Sequence, residues 1–222
     1  RGLGDVYKRQ LNALSRTGFP LLPPDVNRSA GPYTVERREH SEGALRTGLC
    51  QLKGVEDSCI RKLLEERRRR GPFADFQDFL MRLNPSLPDI RGLIRSGSLD
   101  GIAAGIHRPG LFWHYFQVSR HPELFVSPAP PASLRDYPGE VKLQDELETL
   151  GLLVTRRPAE LLRIPDQLSD PGILLTDSGS MAEYKGKKVA IPSVLVTGKE
   201  VRTRTKKEMC FLSFEDREGI YE

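Results

Sequence analysis

The sequence contains few cysteines and no long apolar run. Its three cysteines, Cys50, Cys59 and Cys210, are far apart and form no Cys-x-x-Cys pair. This argues against a disulfide framework and a zinc ribbon, and it fits a reducing cytoplasm. No stretch approaches the ~20 apolar residues that a transmembrane helix needs, and no charged-then-apolar signal segment opens the chain. We therefore expect a cytoplasmic protein that is not embedded in a membrane.

The sequence also lacks the motifs of several enzyme classes. It contains no glycine-rich phosphate loop and no Gly-x-Ser-x-Gly nucleophile elbow. His107, His114 and His121 are spaced seven residues apart, whereas metal binding prefers histidines four residues apart with carboxylates nearby. The acidic run at 145–148 is typical of a solvated helix face. From the residues alone, the sequence predicts no catalytic residue and no metal ligand.

Charged and turn-forming residues indicate a chain of short elements. The 34 Lys and Arg residues against 30 Asp and Glu residues give a net charge of +4, which allows a polyanionic partner without requiring one. Twenty glycines and 17 prolines among 222 residues predict many turns. Helical periodicity from Ala44 to about Leu99 gives way to strand patterns near the end of the sequence, so we expect an α+β fold.

The helical part predicts a helix-hairpin-helix unit. Leu45, Leu49 and Leu52 recur at helical spacing until Gly54 breaks the run, and a basic helix follows as far as Gly71. In such a unit the hairpin amides and the next helix N-terminus face a DNA phosphate, while basic side chains hold neighbouring phosphates. The candidate DNA-binding residues are Lys53, Gly54, Val55, Arg61, Lys62, Arg67, Arg68, Arg69 and Arg70.

The hairpin departs from the usual pattern of two glycines, because Glu56 stands in the second position. A carboxylate beside a phosphate is repulsive. Basic residues near a helix C-terminus are also favoured by the helix dipole alone, by ~0.3–1 kcal/mol. A helical hairpin that serves only packing is therefore the alternative interpretation. Four consecutive arginines exceed what the dipole favours, which supports phosphate contact.

The last part of the sequence predicts antiparallel strands. Residues 188–196 are apolar and β-branched around Pro192, which indicates a sheet edge or a bulge. In the alternating run 208–216, Phe211 and Phe214 fall on opposite faces. At most one of them can then stack on a base of a single strand. The basic residues expected to contact the same single-stranded nucleic acid are Lys199, Arg202, Arg204, Lys206 and Lys207.

Six strings occur in the order typical of one polymerase family. They are LLPPDVNRS at 21–29, LKGV at 52–55, GPFADFQDFL at 71–80, LIRSGSLD at 93–100, DELETLGLL at 145–153 and MCFLSFEDREGIYE at 209–222. Together they resemble the C-terminal third of the bacterial DNA polymerase III α subunit, the C-family DNA polymerases, including their error-prone relatives. The resemblance covers about residues 18–222 and departs from the family pattern at Glu56 and at 155–158.

The resemblance implies a modular organisation after residues 1–10, which resemble translated adapter sequence and are set aside. It assigns 11–40 to the end of the fingers domain and a connector, 41–105 to a helix-hairpin-helix region, 106–140 to an aromatic helix, a clamp-binding segment and a Pro-rich linker, 141–186 to an acidic helix and connector, and 187–222 to the start of an OB-fold domain. Because the last strand stops after three residues, we expect a fragment whose OB fold is truncated.

The family's catalytic aspartates lie in an upstream palm domain, so no catalytic residue and no cofactor is expected here, and Mg²⁺ is implied for the parent polymerase.

A short apolar peptide follows the aromatic helix. Residues 121–125 are similar to the clamp-binding pentapeptide of the family, with His121 in the place of the usual Gln and with Leu124 and Phe125 at its end. Two adjacent apolar side chains on an extended peptide can fill a preformed pocket at low ordering cost. The alternative is that Leu124 and Phe125 pack back on the aromatic helix.

The resemblance implies a function in DNA synthesis. The parent would be a DNA-directed DNA polymerase, a nucleotidyltransferase of DNA replication, DNA repair or translesion synthesis. This segment would bind duplex and single-stranded DNA, the sliding clamp and other replisome or mutasome subunits, with no membrane partner. The alternative class is a non-enzymatic DNA-binding repair scaffold with helix-hairpin-helix and OB parts.

Overall fold

A computed structural model describes residues 20–38, 41–120, 130–156, 161–162, 172–202 and 208–222. The chain divides into two compact units, 1–155 and 156–222, and each is described by itself. The first is mainly helical and the second is built of strands, so the predicted α+β class is confirmed. None of the described helices is both long and apolar enough to cross a membrane.

The first unit opens with a small sheet. Strand β1 (Leu21–Leu22) runs parallel to β3 (Ser41–Arg46), which pairs antiparallel with β2 (Thr34–Arg38). A tight turn follows β1, in which the Asp25 carboxylate accepts from the amides of Asn27 and Arg28. Such a side chain replaces a backbone acceptor in the turn, and the turn leads the chain back towards the sheet.

The prediction of a helix from Ala44 to Leu52 is wrong. The segment is strand β3 as far as Arg46, followed by a single 3₁₀ turn at Leu49–Gln51. Leu45 pairs with Leu21 on one side and with Val35 on the other, and these distant partners favour a strand. Gly48 adds a steric reason, since a Cβ there would lie 2.3 Å from backbone atoms at 31–32. The leucines keep a helical spacing because side chains of a strand and of a turn pack into the same core.

In the part of the chain that the structure describes, five α-helices follow the 3₁₀ turn. They are α1 (Asp57–Arg70), α2 (Phe76–Leu83), α3 (Leu87–Arg95), α4 (Arg108–Arg120) and α5 (Gly139–Leu150), with a 3₁₀ turn at Asp100–Ile102 between α3 and α4. Gly71 ends α1 in a positive-φ conformation, as the sequence predicts. The Asp75 side chain caps α2 by accepting from the Asp78 amide, which sets the start of this helix at Phe76. The acidic helix ends at Leu150 because Gly151 is left-handed there.

The core of the first unit is apolar and aromatic. Phe79 meets Phe73 edge-on at 5.0 Å and stacks on Phe76 at 6.5 Å. Leu150 and Leu152 join the same core, so α5 packs against the unit that contains α1–α3. The buried guanidinium of Arg82 lies 4.3 Å from the centre of the Phe73 ring and donates to the carbonyls of Glu66 and Gly71. These contacts of Arg82 fix the connection between α1 and α2.

The described residues of the second unit form two small sheets. Strands β4 (Leu174–Leu175) and β5 (Val189–Ala190) are parallel, and a 3₁₀ turn at Met181–Tyr184 lies between them in sequence. Strands β6 (Val194–Arg202), β7 (Glu208–Glu215) and β8 (Ile220–Tyr221) form an antiparallel sheet in that order. The predicted strand is confirmed as β7, but its burial does not alternate, because Glu208 to Leu212 are all exposed. Pro192 lies in the break between β5 and β6, which matches its lack of an amide donor.

A buried carboxylate holds the second unit's main turn. Asp216 accepts from the amide and hydroxyl of Ser178 and from the amides of Glu218 and Gly219, at 2.6–3.0 Å. Burial alone would raise the pKa of Asp216, but these hydrogen bonds outweigh it and lower the pKa below its usual value. The β7–β8 turn is thus fixed to the loop before the 3₁₀ turn.

Candidate nucleic-acid interface

The hairpin turn between the 3₁₀ turn and α1 is exposed and open. Gly54 has φ +79°, and nothing lies within 4 Å of where its Cβ would be. Lys53 beside it is also exposed. A glycine with positive φ and open space allows another molecule's backbone to approach closely. The turn therefore has the geometry expected of a phosphate-contacting hairpin.

Two hairpin amides already have acceptors within the protein. The Lys53 amide donates to the Thr149 carbonyl at 2.8 Å, at the C-terminal end of α5. The Glu56 amide donates to the Asp89 carboxylate at 2.8 Å. Sequence reasoning expects these amides to face a phosphate. Within the described residues, the Gly54 amide has no protein acceptor.

Asp89 is the functional neighbour that sequence reasoning missed. It is buried, and it accepts from the Ser86 hydroxyl at 2.6 Å, while its own amide donates back to Ser86. This reciprocal pair caps α3. The same carboxylate thus caps α3 and supplies a negative charge to the N-terminus of α1. The Ser-x-x-Asp spacing at 86–89 indicates the cap, but it does not indicate that the Asp89 carboxylate contacts the Glu56 amide.

Glu56 itself is exposed, and its carboxylate accepts from the Ser58 hydroxyl at 3.0 Å. Its amide, and not its side chain, makes the long-range contact. The hairpin rests instead on Gly92 of α3, where an added Cβ would lie only 2.5 Å from a methyl carbon of Val55. The closeness of this contact fixes the hairpin against α3.

The basic side chains of α1 divide into two groups. Lys62 donates to the Leu83 carbonyl at 2.6 Å, and Arg67 donates to the Val26 carbonyl at 2.8 Å. Burial lowers the pKa of Arg67. These two cations tie α1 to α2 and to the β1 turn. The exposed arginines of α1 that make no such hydrogen bond are Arg61, Arg68, Arg69 and Arg70, and Arg70 lies 3.7 Å from Glu66.

Helix α3 contributes cations that the sequence did not single out. Arg91 is exposed, and with Arg95, Lys53 and Gly54 it lines a cavity of about 280 Å³ between the hairpin and α3. Arg95 donates to Asp145 at 2.6 Å and to Glu148 on α5. These hydrogen bonds raise the pKa of Arg95 and offset its charge.

In the second unit the faces of β7 are as predicted. Phe214 stacks on Tyr221 at 5.7 Å, whereas Phe211 lies opposite Lys199 in the β6–β7 register and is 40% exposed. An exposed aromatic ring beside a cation is suited to stacking on an unpaired base.

Several predicted site residues lie outside the described residues. They are Arg204, Lys206 and Lys207 of the basic loop, and His121, Leu124 and Phe125 of the clamp-binding segment.

Reactive and metal-binding groups are sparse in the described part of the chain. Burial raises the pKa of Cys59 to about 12, which makes its thiol a poor nucleophile. Burial also lowers the pKa of His114, which lies edge-on to Trp113. Among the residues that the structure describes, no three His, Cys, Asp or Glu side chains are grouped so that they could hold a metal ion.

Comparison with known proteins agrees with this geometry. Residues 6–110 match the helix-hairpin-helix motif family. The chain is 30% identical over 215 residues to DNA polymerase III subunit alpha of Thermus aquaticus, covering 86% of this chain and 16% of that protein. It is 27% identical over 239 residues to the same subunit of Bacillus subtilis, covering 100% and 20%.

Error-prone polymerases are also similar. The error-prone DNA polymerase of Alkalilimnicola ehrlichii is 31% identical over 157 residues, which cover 69% of this chain and 15% of that protein. The chain therefore spans at most a fifth of the length of these relatives. The helix-hairpin-helix prediction and the resemblance drawn from the six strings are confirmed.

Proposed function

Because this chain is related over most of its length to one segment of the DNA polymerase III α subunits and error-prone DNA polymerases, we propose that it binds the backbone of duplex DNA for such a polymerase. The parent's activity would be DNA-directed DNA synthesis in the bacterial cytoplasm. The duplex would be held by phosphate contacts that read no sequence.

The observation that carries this proposal is the exposed glycine turn followed by a helix with an outward row of arginines. Gly54 leaves space for a close approach, and Arg61, Arg68 and Arg69 are exposed. Within the described residues these three arginines have no acidic partner in an ion pair. Cations that the fold does not use are available to phosphates, whereas Lys62 and Arg67 are held by carbonyls.

Salt-dependent binding tests the proposal. The full chain should bind a duplex of random sequence, and its affinity should fall steeply with NaCl, because each neutralised phosphate contributes about −0.9 to the slope of log K against log salt. Reversing two arginines, Arg68→Glu with Arg69→Glu, should flatten the slope by about 2. The matched control reverses Arg37 and Arg135, which are exposed on other elements. An affinity without salt dependence would leave the packing-only hairpin as the better interpretation.

The clamp tether is a further part of the proposal. His121, Leu124 and Phe125 would form a clamp-binding peptide, supported by their similarity to the family pentapeptide and by Pro128, Pro130 and Pro131 downstream, which favour an extended flank. Changing Leu124 and Phe125 to Ala should abolish affinity for the sliding clamp and leave the melting temperature unchanged. A lowered melting temperature with clamp binding intact would assign both side chains to packing instead.

The remaining parts of the proposal concern the parent. Nucleotidyl transfer and its Mg²⁺ would belong to the palm domain of the parent polymerase, which the family resemblance places upstream of this segment. The second unit would begin an OB fold that follows single-stranded DNA, supported by Phe211 beside Lys199. Other replisome or mutasome subunits would be further partners. A repair scaffold without polymerase activity is the competing class, and a palm domain in the same gene product would decide against it.

A further inference from the structure

The cavity between the hairpin and α3 carries positive charge that the fold does not neutralise. Three cations line it, namely Lys53, Arg91 and Arg95. Arg95 is hydrogen-bonded to Asp145 and Glu148, so its charge is compensated. Lys53 and Arg91 are exposed, and neither has an acidic partner in the described part of the chain. The cavity therefore has two cations available to an anion.

The backbone of the hairpin supplies a neutral donor at the same place. Gly54 lines the cavity, and its amide has no protein acceptor among the described residues. The amide of Glu56 is held by the Asp89 carboxylate at 2.8 Å. This amide is therefore not available to a phosphate.

We propose that this cavity binds one backbone phosphate of duplex DNA, held by Lys53 and Arg91 with the Gly54 amide as a further donor. The inference rests on the proposed function and adds to it a phosphate position and a contributing helix. Because Asp89 occupies the Glu56 amide, the protein donors left for this phosphate are the Gly54 amide and the side chains of Lys53 and Arg91. Arg91 then becomes a binding residue, although it lies 37 positions after Gly54 in the sequence.

The test compares three single substitutions in the full chain. Affinity for a fluorescent 20-base-pair duplex is measured by anisotropy across a fourfold range of NaCl. Arg91→Gln should reduce the salt slope by about 0.9, so that the variant loses about 3.5-fold less affinity over that range than the unchanged protein. Arg37→Gln removes the same charge from an exposed strand position and should leave the slope unchanged. Lys53→Gln should match Arg91→Gln.

A second measurement covers the case in which Arg91→Gln lowers the melting temperature. In the unchanged protein, amide NMR should show the Gly54 resonance shifting as the duplex is added, and Arg91→Lys should retain the slope. If the unchanged protein shows no salt-dependent binding, the proposed function itself fails. If it binds but Arg91→Gln behaves like Arg37→Gln, or the Gly54 resonance stays fixed, the cavity site is overturned while DNA binding stands.

Discussion

The two units are stabilised in different ways. Within the described residues, every buried hydrophobic side chain belongs to the first unit, from Val26 to Leu152. In the second unit the buried residues are Glu215 and Asp216, while Phe211 and Leu212 on β7 are about 40% exposed. The first unit therefore rests on an apolar core, and the second rests on strand pairing and on hydrogen bonds to carboxylates, those of Asp216 above all.

This difference explains which polar groups are available for binding. In the first unit, Arg82, Lys62 and Arg67 hold helices together through backbone carbonyls. The cations that remain exposed are those that the core does not need. In the second unit the exposed aromatic and basic side chains belong to strands that bury little surface. The same strands would therefore provide both the binding residues and the stability of this unit.

The largest expected effect is in the core of the first unit. Phe79 is fully buried between Phe73 and Phe76, and Phe79→Ala should cost about 3–5 kcal/mol of unfolding free energy because the cavity cannot refill. Met81→Ala, at a side chain that is 65% exposed on the same helix, is the control and should cost little. Urea denaturation followed by Trp113 fluorescence measures both. Similar losses for the two variants would contradict an apolar core centred on the phenylalanines.

The second prediction concerns the carboxylate of the second unit. Asp216→Asn should destabilise the β7–β8 turn by about 2 kcal/mol, since hydrogen bonds to a charged acceptor are replaced by weaker ones. Hydrogen exchange of the peptides that cover β7 and β8 should rise, whereas Glu218→Gln on the exposed side of the turn should leave it unchanged.

The same carboxylate should make this unit sensitive to acid. The pKa of Asp216 is lowered in the folded state, so its stabilisation is complete above the usual value of 3.8 and is lost as the pH falls through the folded value. Asp216→Asn should remove that part of the acid dependence. If exchange at β7 and β8 depends on pH equally in both proteins, the account of this turn is wrong.

A smaller effect is expected where the hairpin meets α3. Gly92→Ala forces its new methyl group against Val55 and should cost about 1–3 kcal/mol, with weaker duplex binding. Gly139→Ala, where nothing lies within 4 Å, is the control. Adding Val55→Ala should restore part of the stability. A Gly92→Ala protein with unchanged stability and affinity would show that this contact does not position the hairpin.

Local patterns predict much of the fold. The Gly54 turn, the end of α1 at Gly71 and the presence of strand β7 each depend on neighbouring residues, and each is observed, although the burial along β7 does not alternate. The failures come from distant partners. Leu45 follows a helical period but pairs with Leu21 and Val35 in a sheet, and no local signal reveals those strands.

The candidate site shows the same division. Sequence reasoning finds the hairpin and the basic helix, because glycine and arginine runs are local signals. It does not find Asp89 on the Glu56 amide, 33 residues away, or the Thr149 carbonyl on the Lys53 amide. Arg91 is one of two arginines on α3 and belongs to no basic run, and only the packing of α3 under the hairpin brings it to the cavity.

Hydrogen exchange of the full chain with and without a 20-base-pair duplex tests the central claim most directly. The account predicts that the duplex slows exchange in the peptides that cover the hairpin and the first turns of α1, at 52–61. Exchange in β6 and β7 should be unchanged, because that surface is expected to bind single strands. Protection confined to the second unit, or no protection at the hairpin at a saturating duplex concentration, would contradict the assignment of duplex binding to the first unit.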